Sequence, residues 1–281
     1  MRRTLDRWVD PRGIALGRIL VALASFALIV EWWVPLVRLS SDEFVRLPAT
    51  TWAPAVTPTL VQGLVSIALV GAVLLLLGTL ARVGAALVCL TSAFALVLDE
   101  QTYSNHLYLL VWVAGLLTMS RCGNAFAFPR RKSRGPVPYW PVFLIKLQIS
   151  VVYFWTGFSK INEQYLSGEV LQTFMNEWVP LPDAAFSYLA LLSIGVEIFL
   201  SISLWMPRLV PLAAVLGLSL HLGIIILLQD PWPLIFFALL MAAGYVQFLT
   251  SRPQQLMTGT TNAIPLQLGT VRVEEAADVE R

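Results

Sequence analysis

The chain has 281 residues, of which 57% are hydrophobic and only 13% are charged. In soluble domains about a quarter of the residues are charged, so this composition excludes an ordinary soluble fold and indicates an integral membrane protein. The formal net charge of +2 gives no reason to expect a nucleic-acid partner, and two distant cysteines, Cys89 and Cys122, argue against a dithiol centre or a disulfide framework.

Eight apolar runs predict an all-α, polytopic membrane bundle of about eight transmembrane helices. They cover Gly13–Val37, Leu60–Leu80, Gly84–Leu98, Leu107–Met119, Trp140–Ser159, Ala184–Trp205, Leu209–Leu228 and Leu234–Leu249. The third and fourth runs are short for full spans, so they tilt, extend through the polar turn between them or form a partial hairpin. Arg18 interrupts the first run early and no small-residue cleavage site stands out, so we interpret this run as a retained helix.

Two segments differ from the runs. Residues 161–183 are mixed and amphipathic, and we expect them to lie at the membrane surface. From Ser251 onward the chain is polar and ends acidic, which predicts a disordered tail. The chain is thereby divided into a membrane domain, residues 1–250, and a cytoplasmic tail, residues 251–281.

The distribution of basic residues predicts the orientation. Twelve lie on the amino-terminal side of the predicted spans: Arg2, Arg3, Arg7, Arg12, Arg82, Arg121, Arg130, Arg131, Lys132, Arg134, Arg208 and Arg252. Only Arg38, Arg46 and Lys160 lie on the other side. The positive-inside rule then places both termini and residues 121–138 in the cytoplasm.

Polar residues at membrane depth are functional candidates, because burying them in hydrocarbon is costly. The predicted outer half holds Glu31, His106, Lys160 and His221, and the inner half holds Arg18, Lys146 and Glu197. Arg18 and Glu197 share a depth and are predicted to form a buried, structural ion pair. Two histidines without clustered carboxylates or thiolates predict no metal site.

The outer half contains the strongest candidate site. Helical spacing puts Lys146, Tyr153, Gly157 and Lys160 on one face of the fifth run. If the fourth and fifth helices pack antiparallel, His106 and Lys160 share one cavity, with Tyr153 and Gly157 on its floor. Desolvation there would favour a neutral amine, which is a general base. The alternatives are a snorkelling lysine anchor and an interfacial histidine bonded to a carbonyl.

Two further residues of the outer half each have two candidate roles. Glu31 is either a proton carrier or a partner of Lys160. His221 lies in the middle of an apolar helix, where an interhelical hydrogen bond is the more common role than catalysis. We retain both residues, with Tyr153 and Gly157, as candidate substrate-binding groups.

Three segments resemble a known family. TYSNHLYLL, QISVVYFWTGFSKINEQYLSGEVL and GVEIFLSISLWMPRLVPLAAVLGLSLHLGI, in this order and spacing, are similar to the membrane domain of vitamin K-dependent gamma-carboxylases. This is the domain of the wider HTTM (horizontally transferred transmembrane) superfamily, and the resemblance covers residues 10–250. It implies that Lys160 is the base that deprotonates a reduced quinone and that His106 assists carboxylation, on the outer side of the membrane.

The chain departs from those carboxylases in two respects. It ends about thirty residues after its last apolar run, where they carry a large peptide-binding domain, and it has Ser159 before Lys160 where they often have two lysines. Apart from these two differences, the resemblance implies a carboxylase- or epoxidase-like lyase with a vitamin K-like quinone as cofactor, in a bacterial inner membrane. The alternatives are a non-catalytic accessory factor for maturation or export of a secreted peptide, and a small transporter.

Overall fold

The fold is a bundle of helices. The computed structural model describes residues 5–41, 44–129 and 134–251. Within these ranges the helices are α1 Pro11–Leu39, α2 Pro58–Leu77, α3 Ala81–Leu98, α4 Asn105–Met119, α5 Tyr139–Ser159, α6 Glu163–Leu166, α7 Glu169–Phe174, α8 Asp183–Ser203, α9 Val210–Leu227 and α10 Pro231–Thr250. A single 3₁₀ turn, Glu100–Thr102, precedes α4, and two short strands, β1 Trp8–Val9 and β2 Val137–Pro138, pair with each other.

Seven of the described helices are long and apolar enough to cross a membrane: α1, α2, α3, α5, α8, α9 and α10. The eighth long helix, α4, has 15 residues, fewer than the roughly 20 that a perpendicular span needs. The predicted polytopic bundle is thus confirmed, and the chain is a multi-pass protein of a lipid bilayer. Of the two short runs, the third is extended at its start to 18 residues and becomes a candidate span, whereas the fourth stays short.

Local sequence signals set the helix ends. Asp10 caps α1 by accepting a hydrogen bond from the Arg12 N–H, and Pro11 follows it at the first helical position. The Thr57 hydroxyl caps α2 in the same way. At the other end of α2, Gly78 adopts φ 74°, the left-handed conformation that closes helices and favours glycine.

Helix α1 lies at the centre of the bundle, packed against α2 and α10. Its Leu28, Trp32 and Leu36 have no exposed surface. Helices α2 and α3 approach closely through two glycines: a Cβ at Gly84 would lie only 2.7 Å from the Gly71 carbonyl oxygen. Small residues at helix contacts are typical of membrane bundles, where van der Waals packing replaces the hydrophobic effect.

One end of the bundle collects the amino-terminal segment, the loop before α5 and the last turn of α10. Strand β1 pairs with β2, and the Tyr139 N–H donates to the Arg7 carbonyl. The Gln247 side chain on α10 donates to the Gly13 carbonyl on α1. The described residues therefore place these segments on one side, as predicted.

Some of the residues used for that prediction lie outside the described residues. They are Arg2, Arg3, Arg130, Arg131, Lys132 and Arg252, together with residues 252–281 of the predicted tail.

At the opposite end, helix α8 extends beyond the end of α5. The first turns of α8 pack against residues 161–174 instead: a Cβ at Gly168 would lie 2.6 Å from the Phe186 carbonyl carbon, and the Tyr165 and Ser193 hydroxyls are 2.9 Å apart. The segment predicted to be amphipathic thus forms α6 and α7 and lies over the end of α5. This arrangement determines what surrounds Lys160.

Candidate functional site

Lys160 caps the carboxyl end of α5 and forms an ion pair with α8. Its Nζ lies 2.8 Å from Glu197 Oε1 and 5.2 Å from the centre of the Tyr165 ring. The Lys160 side chain is 24% exposed and the Glu197 side chain only 6%. The amine is therefore held by a carboxylate and an aromatic face, while about a quarter of the side chain can still be reached from outside.

The predicted Arg18–Glu197 ion pair is wrong, because Glu197 binds Lys160. Arg18 is fully buried at the other end of the bundle, where its guanidinium donates to the Phe126 carbonyl at 2.8 Å. The helices that carry the two residues are not neighbours: α1 packs on α2 and α10, whereas α8 packs on α5 and α9.

The depth assigned to Glu197 explains this error. Since α8 begins beyond the end of α5, a residue two-thirds of the way along α8 is level with the last turn of α5. Gly157 makes this contact close, because a Cβ there would lie 3.3 Å from the Glu197 Cβ. The absent side chain lets α8 approach and brings Glu197 to Lys160.

His106, in the first turn of α4, faces Glu31 of α1. His106 Nδ1 lies 3.6 Å from Glu31 Oε1, and both side chains are partly exposed. Of the two roles considered for Glu31, the one as partner of Lys160 is not realised in the structure, where its basic neighbour is His106. The edge of the His106 ring also meets Phe237 of α10, with ring centres 5.1 Å apart.

A hydrogen-bonded group of three side chains lies deeper in the bundle. The Tyr153 hydroxyl is 2.9 Å from His221 Nε2 and 2.6 Å from the Tyr245 hydroxyl. All three residues are buried and come from three helices, α5, α9 and α10. His221 thus makes an interhelical hydrogen bond, the role that sequence reasoning favoured for it. Tyr245 reaches the group over Gly217, where any Cβ would collide with the phenol.

Phe237 lies between the two histidines. Its ring centre is 5.7 Å from that of His221 and 5.1 Å from that of His106. Lys160 binds Glu197 and His106 faces Glu31 at 3.6 Å, and the cavity predicted to join the two stays a prediction. Sequence reasoning missed Phe237 and Tyr245. Tyr245 could have been found as a phenol inside an apolar run, whereas nothing in the sequence distinguishes Phe237.

The predicted common face of α5 holds for the residues before its end. Lys146, Tyr153 and Gly157 are all buried on the side that packs inward. Lys146 lies about four turns from Lys160, near the other end of the bundle, and has no part in the outer group. Within the described residues, no three His, Cys, Asp or Glu side chains cluster as a metal site requires.

Comparison with known proteins agrees with this architecture. No solved structure matches the chain. The model of the HTTM domain family matches residues 7–247, from just before β1 to the last turn of α10. This match covers most of the chain, including Lys160, Glu197, His106 and Glu31, and so the chain belongs to the HTTM domain family.

Proposed function

We propose that this protein is a membrane enzyme that removes a proton from a lipophilic, quinol-like substrate, with Lys160 as the base. The observation that carries the proposal is the 2.8 Å contact between Lys160 Nζ and the buried Glu197 carboxylate. A lysine used only as an anchor would extend to the headgroups. Lys160 instead turns inward to a carboxylate that can exchange a proton with it.

The surroundings of Glu197 favour such an exchange. Its Oε2 is buried and has no hydrogen-bond partner among the described residues. A buried carboxylate that accepts so few hydrogen bonds is poorly stabilised as an anion. Transfer of one ammonium proton from Lys160 to Glu197 leaves a neutral amine beside a neutral acid. The amine can then take the proton of a substrate hydroxyl, which yields the substrate anion and restores the ammonium.

Other groups of the site fit an aromatic, hydroxyl-bearing substrate. His106 and Glu31 form a second polar pair at the partly exposed outer end of the bundle, and Phe237 presents an aromatic ring next to His106. The Tyr153 hydroxyl, with His221 and Tyr245, gives the interior hydrogen-bonding groups. The quinone class, and a role of His106 in carboxylation or epoxidation, rest on the resemblance to vitamin K-dependent gamma-carboxylases.

The site would face the outside of a bacterial inner membrane. Lys160 lies at the end of the bundle opposite the one that carries Arg7, Arg12, Arg82, Arg121, Arg134 and Arg208. The positive-inside rule makes the arginine-rich end cytoplasmic. A lipophilic substrate would then reach Lys160 from the outer leaflet.

The proposal can be tested with menadiol, a reduced naphthoquinone that oxygen converts to menadione and hydrogen peroxide. The quinol anion reacts with oxygen faster than the neutral quinol, so a base that deprotonates menadiol accelerates the appearance of menadione. Protein in lipid nanodiscs is expected to accelerate it over empty nanodiscs. Lys160→Ala and Lys160→Arg should both lose the acceleration, because alanine has no base and guanidinium stays protonated.

Arg38→Ala is the matched control, since it removes an exposed cation from the same end of the bundle. It should keep the wild-type rate. A folded Lys160→Ala variant that oxidises menadiol as fast as the wild type would rule out the lysine as base.

One observation favours a second candidate, a non-catalytic accessory factor for a secreted peptide. At the outer end of the bundle, Lys160 already faces Glu197 and His106 already faces Glu31. Residues with a purely structural role would be paired within the protein in this way. Under that function, replacing Lys160 and Glu197 together by methionine would preserve maturation of the peptide, whereas an enzyme would lose its activity.

A further inference from the structure

Lys146 is a buried cation at the arginine-rich end of the bundle, and it has no anionic partner among the described residues. It is 7% exposed. Its Nζ lies 5.0 Å from the centre of the Phe248 ring and 5.5 Å from that of Tyr139. Neither of the two ion pairs that the described residues form includes Lys146. The two aromatic faces attract the ammonium, but they do not neutralise it.

An unneutralised charge at membrane depth is costly, and it is usually paired or faces a polar cavity. Lys146 borders a cleft of about 500 Å³ between α5, α8, α9 and α10. Pro207 in the α8–α9 turn and Ser251 at the end of α10 also line the cleft, so its polar end lies where the helices leave the membrane.

Apart from the phenol of Tyr139, the rest of the lining is apolar. It comprises Leu204, Val210, Pro211, Phe248 and Leu249, with the ring of Trp205. The cleft opens beside side chains on the lipid-facing surface, since Leu249 is 47% exposed and Met206, in the same turn as Pro207, is 50% exposed. The cleft thus combines one buried cation with an apolar wall whose rim is exposed on the outside of the bundle.

We propose that this cleft binds an anionic phospholipid of the adjacent leaflet, with its phosphate at Lys146 and one acyl chain along the wall formed by Val210 and Leu249. A phosphate supplies charge-assisted hydrogen bonds, which the described residues do not give the ammonium. A free inorganic phosphate would satisfy the charge equally, but it would make no use of the apolar wall. The lipid is therefore the occupant that matches both parts of the lining. This site is separate from the one at Lys160.

The test is lipid titration of the full-length protein in detergent, followed by native mass spectrometry. Dioleoylphosphatidylglycerol is the anionic probe and dioleoylphosphatidylcholine the zwitterionic one. Lys146→Met keeps the length of the side chain and removes its charge. It should weaken phosphatidylglycerol binding about tenfold, the equivalent of one charge-assisted contact, and leave phosphatidylcholine binding unchanged. Lys146→Arg, which retains the cation, should bind phosphatidylglycerol like the wild type.

The matched control is Arg208→Gln, which removes an exposed charge from the turn beside the cleft. It should stay within about twofold of the wild type, because a mobile surface charge contributes little. Leu249→Trp adds bulk to the apolar wall while Lys146 stays intact, and it should also weaken phosphatidylglycerol binding. This second variant decides the question if Lys146→Met does not fold.

Two results would overturn the proposal. One is wild-type phosphatidylglycerol binding by the folded variants Lys146→Met and Leu249→Trp. The other is complete displacement of the bound lipid by millimolar inorganic phosphate, which would identify a site for the free anion. Retention of the lipid in phosphate supports the assignment to a lipid.

Discussion

Removing either partner of the Lys160–Glu197 pair should destabilise the bundle, but by unequal amounts. Lys160→Met leaves the carboxylate of Glu197, only 6% exposed, without its cation. Breaking a buried pair in this way typically costs about 3–5 kcal/mol of unfolding free energy. Glu197→Gln should cost less, about 1–2 kcal/mol, because glutamine still accepts a hydrogen bond and the Lys160 side chain, 24% exposed, can turn toward water.

The double replacement is the more informative variant. With methionine at both positions, neither charge is buried, and the unfolding free energy should return to within about 1 kcal/mol of the wild type. A double-mutant cycle that uses Glu197→Met as the second single variant should therefore give a coupling of at least about 3 kcal/mol, at the upper end for residues in contact. The free energies can be measured by SDS titration in mixed micelles, followed through tryptophan fluorescence.

Two results would refute this reasoning. Wild-type stability of the Lys160→Met variant would mean that Glu197 is not buried beside the lysine. Additive losses in the double variant would mean that the two residues act independently, and the contact between α5 and α8 would then have to be formed elsewhere. Arg38→Met, at an exposed position of the same end, is the control and should change stability little.

Three further predictions concern orientation and packing. A cysteine replacing Arg134 should resist a membrane-impermeant maleimide applied to intact cells, whereas one replacing Thr51 should react quickly. The reverse result would invert the orientation. The native Cys122 should react slowly in either orientation, because burial raises the pKa of its thiol and the thiolate is the reactive form. Gly84→Val should lower the melting temperature of the detergent-solubilised protein by separating α2 from α3, and an unchanged melting temperature would show that their contact tolerates a larger side chain. Tyr245→Phe should cost about 0.5–1.5 kcal/mol in the same SDS titration, because the Tyr153 hydroxyl loses one of its two buried partners and keeps His221, and wild-type stability would argue against that hydrogen bond.

The helices and the inward face of α5 could be predicted because both follow from local sequence. Apolar runs of membrane length and capping residues such as Thr57 define where helices begin and end. The predicted first run, Gly13–Val37, differs from α1 by only two residues at each end. The spacing of residues along one helix likewise places Tyr153 and Gly157 on the same face.

The partners across helices could not be predicted in the same way. Helices that are apolar all round carry no stripe to indicate their neighbours, so the sequence does not state that α8 packs on α5 and not on α1. The depth of Glu197 depends on how far α8 extends beyond α5, and that depends on how residues 161–174 fold over the end of α5. Tyr245 was missed because its partner, Tyr153, lies 92 residues away.

The central claim is that a lipophilic substrate is bound at Lys160, and it is tested most directly by a structure of the protein with a naphthoquinol analogue in lipid nanodiscs. We expect density for the ring system against Phe237 or Tyr165, with a ring oxygen about 3 Å from Lys160 Nζ. The same experiment on Lys160→Ala should show that density lost. Density for the analogue only at another site, with the Lys160–Glu197 pair closed and unchanged, would contradict the claim and leave the pair as a structural element of the bundle.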